Sequence, residues 1–334
     1  MDRSELWYRS QQSPQHSLEK PSLSRRVRNW VRGLLPEPDV RGKVMVLHAR
    51  QAFPKLSAWA GLFSEFHSVL GALAFAEARG AAAVRVDFRS PLYLDTARGP
   101  NWWTYFFDSD EMRLAASAGA RDEVHLAGRF AKYGRHGGFC DTVNGTTPYL
   151  YPMTYGIGRV ELHRLLTAHV RVRSEILDEV TRWSAASLER DAYVVGVHYR
   201  GTDSTHGFAG WLADYRVSRV PYETYANEVR AVLAAAAVGT YQLLVATDES
   251  DFIEFMRREF PDRVVSVESA PRARAGGRAV HLDRTAASNY AKGKSALVDC
   301  LLLASTNYLV KGRSNLSDAS LAFNPRLPYS FCVR

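Results

Sequence analysis

The run Tyr193-Val-Val-Gly-Val-His-Tyr-Arg-Gly-Thr-Asp203 puts a histidine, an arginine and an aspartate directly behind four apolar residues and a glycine. Residues of that kind are comfortable in a buried pleat, so the run reads as a strand whose last residues carry the chemistry. In an open α/β sheet ligands bind just beyond the carboxyl ends of the strands. Arg200 offers a planar, permanently charged fork suited to a diphosphate, and Gly201 lets the backbone come close to it. His198 and Asp203 then orient the fork or the ligand. The plainer alternative is a strand whose end turns polar because the chain is returning to water.

Three further places invite the same question. Asp299 sits amid Leu297, Val298, Cys300, Leu301 and Leu302, and an acid there is costly to bury without a partner. A guanine base, with paired donors at N1 and N2, would be one; an internal salt bridge or a helix face open to water would be another. Ser314, Asn315 and Ser317 open a helical pattern that runs to Phe323, where hydroxyls and exposed amides suit an anion or simply cap the helix. Thr247, Asp248 and Ser250 close the strand Tyr241–Ala246 and either contribute to the same pocket or cap the next helix. The Gly/Arg/Ala-rich stretch from Glu268 to Val280, with Arg272, Arg274 and Arg278, reads as a solvated loop rather than a lid over phosphates.

In the first half, Ala60-Gly-Leu-Phe-Ser-Glu-Phe-His67 leads from a strand at Lys43–Leu47 into a helix from about Phe63 to Arg79. Ser64 is the expected N-cap, and the helix N-terminus is a natural anion site. Glu65 in the first turn either offsets the helix dipole or faces the reaction as a base; His67 ranks below it. After a strand at Ala82–Phe88 comes a loop dense in aromatics. Adjacent Trp102 and Trp103 cannot both face one core from a single strand or helix, so one of them would be surface-available, where with Asn101 it would suit a sugar ring; the reading preferred to this is a hydrophobic plug holding the loop to the domain. Residues 121–158 lack periodicity and read as irregular, whereas Val160 to Trp183 reads as one long helix.

The elements that must position these groups follow from the pattern. From Asp191 onward strands and helices alternate, which predicts a parallel, doubly wound sheet. The expected organisation is a basic leader over residues 1–42 that need not be ordered, an α/β domain over 43–185, and a Rossmann-like domain over 186–334. At 334 residues with 46% apolar and 23% charged residues, the chain can bury two ordinary globular cores. The net charge of +8 favours an anionic partner, yet no zinc knuckle, RNA-binding signature or basic heptad supports nucleic acid. No apolar run reaches membrane length, no secretory pattern opens the chain, and Cys140, Cys300 and Cys332 have no metal-ligand spacing. A cytoplasmic setting without membrane contact is the simplest expectation.

His198-Tyr-Arg-Gly-Thr-Asp203, the strand ending Ala246-Thr-Asp248, and Lys292-Gly-Lys-Ser-Ala-Leu-Val-Asp-Cys-Leu-Leu-Leu-Ala304 followed by Gly312-Arg-Ser-Asn-Leu-Ser317 resemble, in order and spacing, three signatures of the GDP-fucose-using fucosyltransferase superfamily. That superfamily includes α1,6-fucosyltransferases, bacterial nodulation fucosyltransferases and protein O-fucosyltransferases. The resemblance spans most of 43–330, most firmly 193–320. It implies an α/β fold of two facing Rossmann-like domains (the GT-B glycosyltransferase architecture) and inverting, metal-independent transfer of L-fucose from GDP-β-L-fucose to a glycan or small-molecule hydroxyl. No cofactor beyond the donor substrate is implied. On the resemblance Arg200 meets the departing GDP and Asp299 reads guanine, while His198, Asp203, Asp248, Ser314, Asn315 and Ser317 line the donor pocket. The chain departs from the α1,6 members at Gly201 and Ser204, where they carry basic residues, and in Ser204-Thr-His-Gly-Phe208, where they place a glutamate base. The base is therefore sought among Glu65, His206 and Asp214. Two alternatives stay open: another NDP-sugar transferase on this scaffold acting on a secondary metabolite, and a catalytically silent nucleotide- or glycan-binding protein.

Overall fold

The computed structural model describes residues 39–49, 51–53, 58–59, 61–114, 122–127, 158–201, 220–275, 280, 287–312 and 314–332. The chain forms two compact units, and among the described residues one ends at Arg173 and the other begins at Ser174.

In the first unit, strands β1 (Val44–His48), β4 (Ala83–Asp87), β5 (Glu111–Arg113) and β6 (Glu123–Ala127) make one sheet in the order β5-β4-β1-β6. β1 pairs in parallel with β4 and β6, and only β5 runs antiparallel. The short pair β2 (Gln51–Phe53) and β3 (Ala58–Trp59) forms a separate antiparallel ribbon. Helix α1 (Leu62–Arg79) buries Leu62, Phe63, Phe66, Val69, Leu70 and Leu73. Its N-cap is Gly61, with no side-chain cap; the Leu62 N–H donates instead to the Tyr93 hydroxyl at 3.0 Å. Ser64 therefore lies inside the first turn rather than at its cap, because a tyrosine from a distant loop already meets the orphan amide.

The aromatic loop folds inward. Trp102 and Trp103 are both fully buried in a 3₁₀ turn over Trp102–Tyr105, which agrees with the plug reading and rules out the alternative of one ring available at the surface. Successive side chains of a 3₁₀ turn diverge by about a third of a turn, so the two rings enter different parts of one aromatic core. Trp102 packs on Phe88 with ring centroids 5.0 Å apart, and Trp103 stacks on Phe107 at 4.0 Å. Each indole N–H has a partner, Ser90 Oγ for Trp102 and the Ser109 carbonyl for Trp103, both at 3.0 Å. Asn101 is equally committed: its Oδ1 accepts from Phe88 N and Trp103 N, and its Nδ2 donates to the Val86 carbonyl. It holds the turn and is not free for an acceptor.

The long helix expected over 160–183 is two, α2 (Arg159–His169) and α3 (Ser174–Ser187). Backbone pairing breaks it: Val172 bridges Phe107, the Arg171 carbonyl accepts from Asp108 N, and Arg173 N donates to the Phe106 carbonyl. Helical propensity yields here to tertiary hydrogen bonds, as weak local preferences do.

The second unit holds β7 (Tyr193–Tyr199), α4 (Tyr222–Ala236), β8 (Tyr241–Thr247), α5 (Ser250–Glu259), β9 (Val264–Val265), α6 (Asn289–Ala304), β10 (Tyr308–Lys311), α7 (Asn315–Phe323) and β11 (Tyr329–Phe331). The five strands are all parallel, in the order β11-β10-β7-β8-β9. Winding runs outward from β7 through β8 to β9, then returns to lay β10 on the other side of β7. One face of β7 sends Val195, Val197 and Tyr199 into a core with Tyr225 and Val229 of α4 and Phe252 and Met256 of α5. The other face meets α6 so closely that a Cβ on Gly196 would lie 2.9 Å from Thr306 Oγ and 3.0 Å from Leu303 Cδ2.

The Trp103→Ala variant is predicted to lose about 3–5 kcal/mol of unfolding free energy, measured by denaturant unfolding followed by circular dichroism. A loss below about 0.5 kcal/mol would mark a surface position.

Candidate active site

Winding reverses between β7 and β10, and at such a point in an open α/β sheet ligands bind at the carboxyl ends of the strands. Register places His198 of β7 directly beside Lys311 of β10, with Ala246 of β8 on its other side. Arg200 follows immediately after β7, and Gly312 to Ser314 lead from β10 into α7. Three of the sequence-predicted groups, His198, Arg200 and Ser314, thus converge on one strand edge within one unit.

His198 is buried, and because strand side chains alternate it points away from Val197 and Tyr199, toward the face that α6 covers. Its imidazole is pushed down to about 3, first by desolvation and then by the positive charges of Arg200 and Lys311. The ring is therefore neutral throughout the physiological range. Its Nδ1 has no hydrogen-bond partner among the described residues. A buried, uncharged ring with an unused nitrogen, set beside a cation, suits contact with a ligand more than proton transfer.

Lys311 is itself buried, and its Nζ donates to Asp318 Oδ1 at 2.5 Å while lying over the rings of Tyr329 and Phe331 at 5.8 and 5.2 Å. This pair, which the sequence reading passed over, ties the first turns of α7 to the tip of β10. A buried ion pair contributes little net stability, but breaking it leaves an uncompensated charge. Ser314 caps α7, accepting from Leu316 N at 3.3 Å. Ser317 is fully buried and donates to the Ser314 carbonyl at 3.2 Å. The capping expected of this stretch is therefore made by Ser314, and Ser317 holds the same turn together.

Asp248, at the end of β8, accepts the Gly201 N–H at 2.9 Å, and so fixes the turn that follows Arg200. Its neighbour Glu249, which the sequence reading did not single out, is fully buried beneath that turn. A Cβ on Gly201 would lie 1.9 Å from Glu249 Oε2 and 2.8 Å from Tyr199 Cε1. A side chain at Gly201 would require the Glu249 carboxylate and the Tyr199 ring to move. Thr247 accepts from Glu249 N at 3.1 Å rather than capping α5, and Ser250 donates to the Ala273 carbonyl at 3.2 Å.

Asp299 lies one turn before Leu303, on the stretch of α6 that leads up from Gly196 toward the carboxyl edge of the sheet. It is half-buried by exposed area. Desolvation nonetheless pushes its carboxyl up to about 7, against the opposing pull of Arg272. The atoms packed closely round the carboxyl raise it, and the remaining exposure marks the side from which a ligand could approach.

Glu65 is buried on α1 of the first unit, where Ser68 Oγ donates to its Oε2 at 3.4 Å. His67 is buried beside it. Asp203, His206 and Asp214 lie outside the described residues. Among the described residues no group of three His, Cys, Asp or Glu is arranged to hold a metal ion, and no helix is long and apolar enough to cross a membrane.

No protein-family model matches the chain, and no curated protein sequence matches it. Solved structures do. The NodZ α1,6-fucosyltransferase soaked with GDP-fucose is 16% identical, over 85% of this chain and 94% of that one, with a TM-score of 0.47. NodZ from Bradyrhizobium matches at 16% identity over 85% and 94% with a TM-score of 0.46. POFUT1 in complex with GDP matches at 12% identity, over 90% of this chain and all of that one (100%), with a TM-score of 0.46. A variant of Arabidopsis thaliana FUT1 in complex with GDP matches at 12% over 98% and 78%, again at 0.46. At such identities and TM-scores a shared function does not follow from likeness, and the chemistry of this chain has to be read from its own residues.

Asp299 yields a prediction with an unusual sign. A carboxyl that titrates near 7 in the folded protein and near 3.8 unfolded costs stability once ionised. The cost is absent below the unfolded value, grows as pH rises between the two, and is complete above the folded one. Asp299→Asn removes it. Thermal unfolding should find the variant more stable than the parent at about pH 8, with the gap closing by about pH 4; a gap independent of pH would contradict the environment described for this carboxyl.

Proposed function

We propose that the protein is a glycosyltransferase of the GT-B kind, with the acceptor side in residues 43–185 and the nucleotide-sugar side in 186–334. It transfers L-fucose from GDP-β-L-fucose to a hydroxyl of a glycan or small molecule, with inversion and without a metal. The observation that carries this reading is the meeting of Arg200, neutral His198 and the capped N-terminus of α7 at the sheet's switch point. Asp299 stands on the helix covering the same face. Those positions are the ones that carry the signature residues quoted above.

The chemistry follows from charge. As the bond between the sugar's anomeric carbon and the β-phosphate oxygen breaks, its electron pair moves onto the diphosphate. Arg200 and the amides opening α7 meet that growing charge, as preorganised cationic and dipolar groups do in a water-poor site. The acceptor oxygen attacks the anomeric carbon from the opposite face, which inverts it. Its proton passes to a base, for which Glu65, His206 and Asp214 are the candidates in that order. His198, neutral and buried, orients Arg200 or the donor. Asp203 orients Arg200 or the donor, Asp248 holds the Gly201 N–H, and Asp299 accepts from the base's N1 and N2 donors.

Differential thermal unfolding with GDP, UDP, dTDP and GDP-fucose tests the donor class, and GDP and GDP-fucose should stabilise the protein preferentially. Indifference to every nucleotide would indicate a silent binder and overturn the reading. The Arg200→Ala variant should keep its fold and lose transfer by at least two orders of magnitude, roughly the effect of removing one such charge stabiliser. Retained turnover would remove the role given to Arg200.

A further inference from the structure

The loop after β9 is pinned to the rim of the sheet. Ala273 N donates to the Asp248 carbonyl, Ser250 N donates to the Ala273 carbonyl, and Glu249 bridges Ala273 in parallel. Arg272, next to this stitch, is half-buried, and its Nη2 donates to the Val267 carbonyl at 2.6 Å. Its buried Nε has no hydrogen-bond partner among the described residues. Burial pulls the guanidinium down from its ordinary value, while Asp299 and Glu268 push it up and Arg257 adds a smaller downward pull. Arg272 and Asp299 thus feel each other's charge, yet among the described residues Asp299 makes no ion pair or hydrogen bond. Arg257 takes Glu268 at 2.6 Å, leaving Arg272 with a backbone carbonyl as its one described partner.

Arg272, stitched to the rim beside β8, and Asp299, on α6 toward the same carboxyl edge, offer a donor fork and an acceptor within electrostatic reach of each other. Resting on the proposed guanine-nucleotide donor, we infer that Arg272 is a second specificity residue for the base, donating to guanine O6 and N7 while Asp299 accepts from N1–H and N2–H. Arginine paired with guanine O6 and N7 is a recurrent contact, because the fork matches two adjacent acceptors. Adenine would present an amino group to the guanidinium and an acceptor to the carboxylate, mismatched at both. Hypoxanthine would keep the face turned to Arg272 and lose one donor to Asp299. A site built to hydrogen-bond its ligand rejects an analogue that leaves those groups unpaired. The sequence reading, which left this arginine in a solvated loop, had no means to see the stitch at Ala273.

Calorimetric titration of the full chain with GDP, IDP and ADP separates the two roles. The parent should bind GDP at least tenfold more tightly than ADP, the scale of one bidentate base contact. Arg272→Gln should narrow the GDP-to-ADP ratio about tenfold while leaving GDP-to-IDP unchanged, and Asp299→Asn should collapse GDP-to-IDP. Arg272→Lys, which keeps the charge but lacks the fork, should fall between parent and Arg272→Gln; circular dichroism checks that each variant is folded. An unchanged GDP-to-ADP ratio in both folded Arg272 variants, with the parent preferring GDP, would overturn this inference alone. Failure of the parent to bind any of the three would overturn the donor reading and this inference with it.

Discussion

The reversal of winding between β7 and β10 is the constraint from which the rest of the site follows. Parallel strands need long crossovers, and when successive crossovers leave in opposite directions the loops at the two central strand tips part and leave a space. Into that space the chain delivers His198 and Arg200 from β7, the start of α7 from β10 and the Asp248–Glu249 corner from β8. None of these groups needs a special loop to reach the others, because register alone makes them neighbours.

Electrostatics then sorts them. Two cations, Arg200 and Lys311, flank an imidazole that burial already holds neutral, so the histidine cannot add a third charge at physiological pH. Lys311 is answered by Asp318 within the fold, which ties the tip of β10 to the first turns of α7. Farther along the same face the sign reverses: Asp299 is strained by desolvation and relieved in part by Arg272.

Much of this was legible in the sequence. Every strand and helix expected between residues 190 and 323 is present, with boundaries moved by a few residues at most, because long β-branched and apolar runs leave little choice of period. What was not legible depended on contacts between distant segments. The broken helix at 170–173 is set by pairing with 106–108. The missing Ser64 cap is set by Tyr93. The three-residue strands β5 and β11 carry too few residues to show a period, and β6 lies in the stretch from 121 read as irregular. The plug reading of Trp102 and Trp103 holds, but the way both enter one core was not legible, because it needs a 3₁₀ turn rather than a strand or long helix. At the site, the strand-end motif pointed to His198 and Arg200, and the stray acid in an apolar helix pointed to Asp299. Glu249, the Lys311–Asp318 pair and Arg272 acquire meaning only through packing. Glu249 is the nearest miss, since an acid directly after a strand-end Thr-Asp was there to be weighed.

The central claim is that one crevice at this switch point holds a guanosine diphosphate end to end. A crystal structure of the chain soaked with GDP tests it most directly. The account predicts the diphosphate within hydrogen-bonding distance of Arg200 and the amides that open α7, with the purine edge against Asp299. GDP bound elsewhere in the molecule, with Arg200 and Asp299 both untouched, would contradict it.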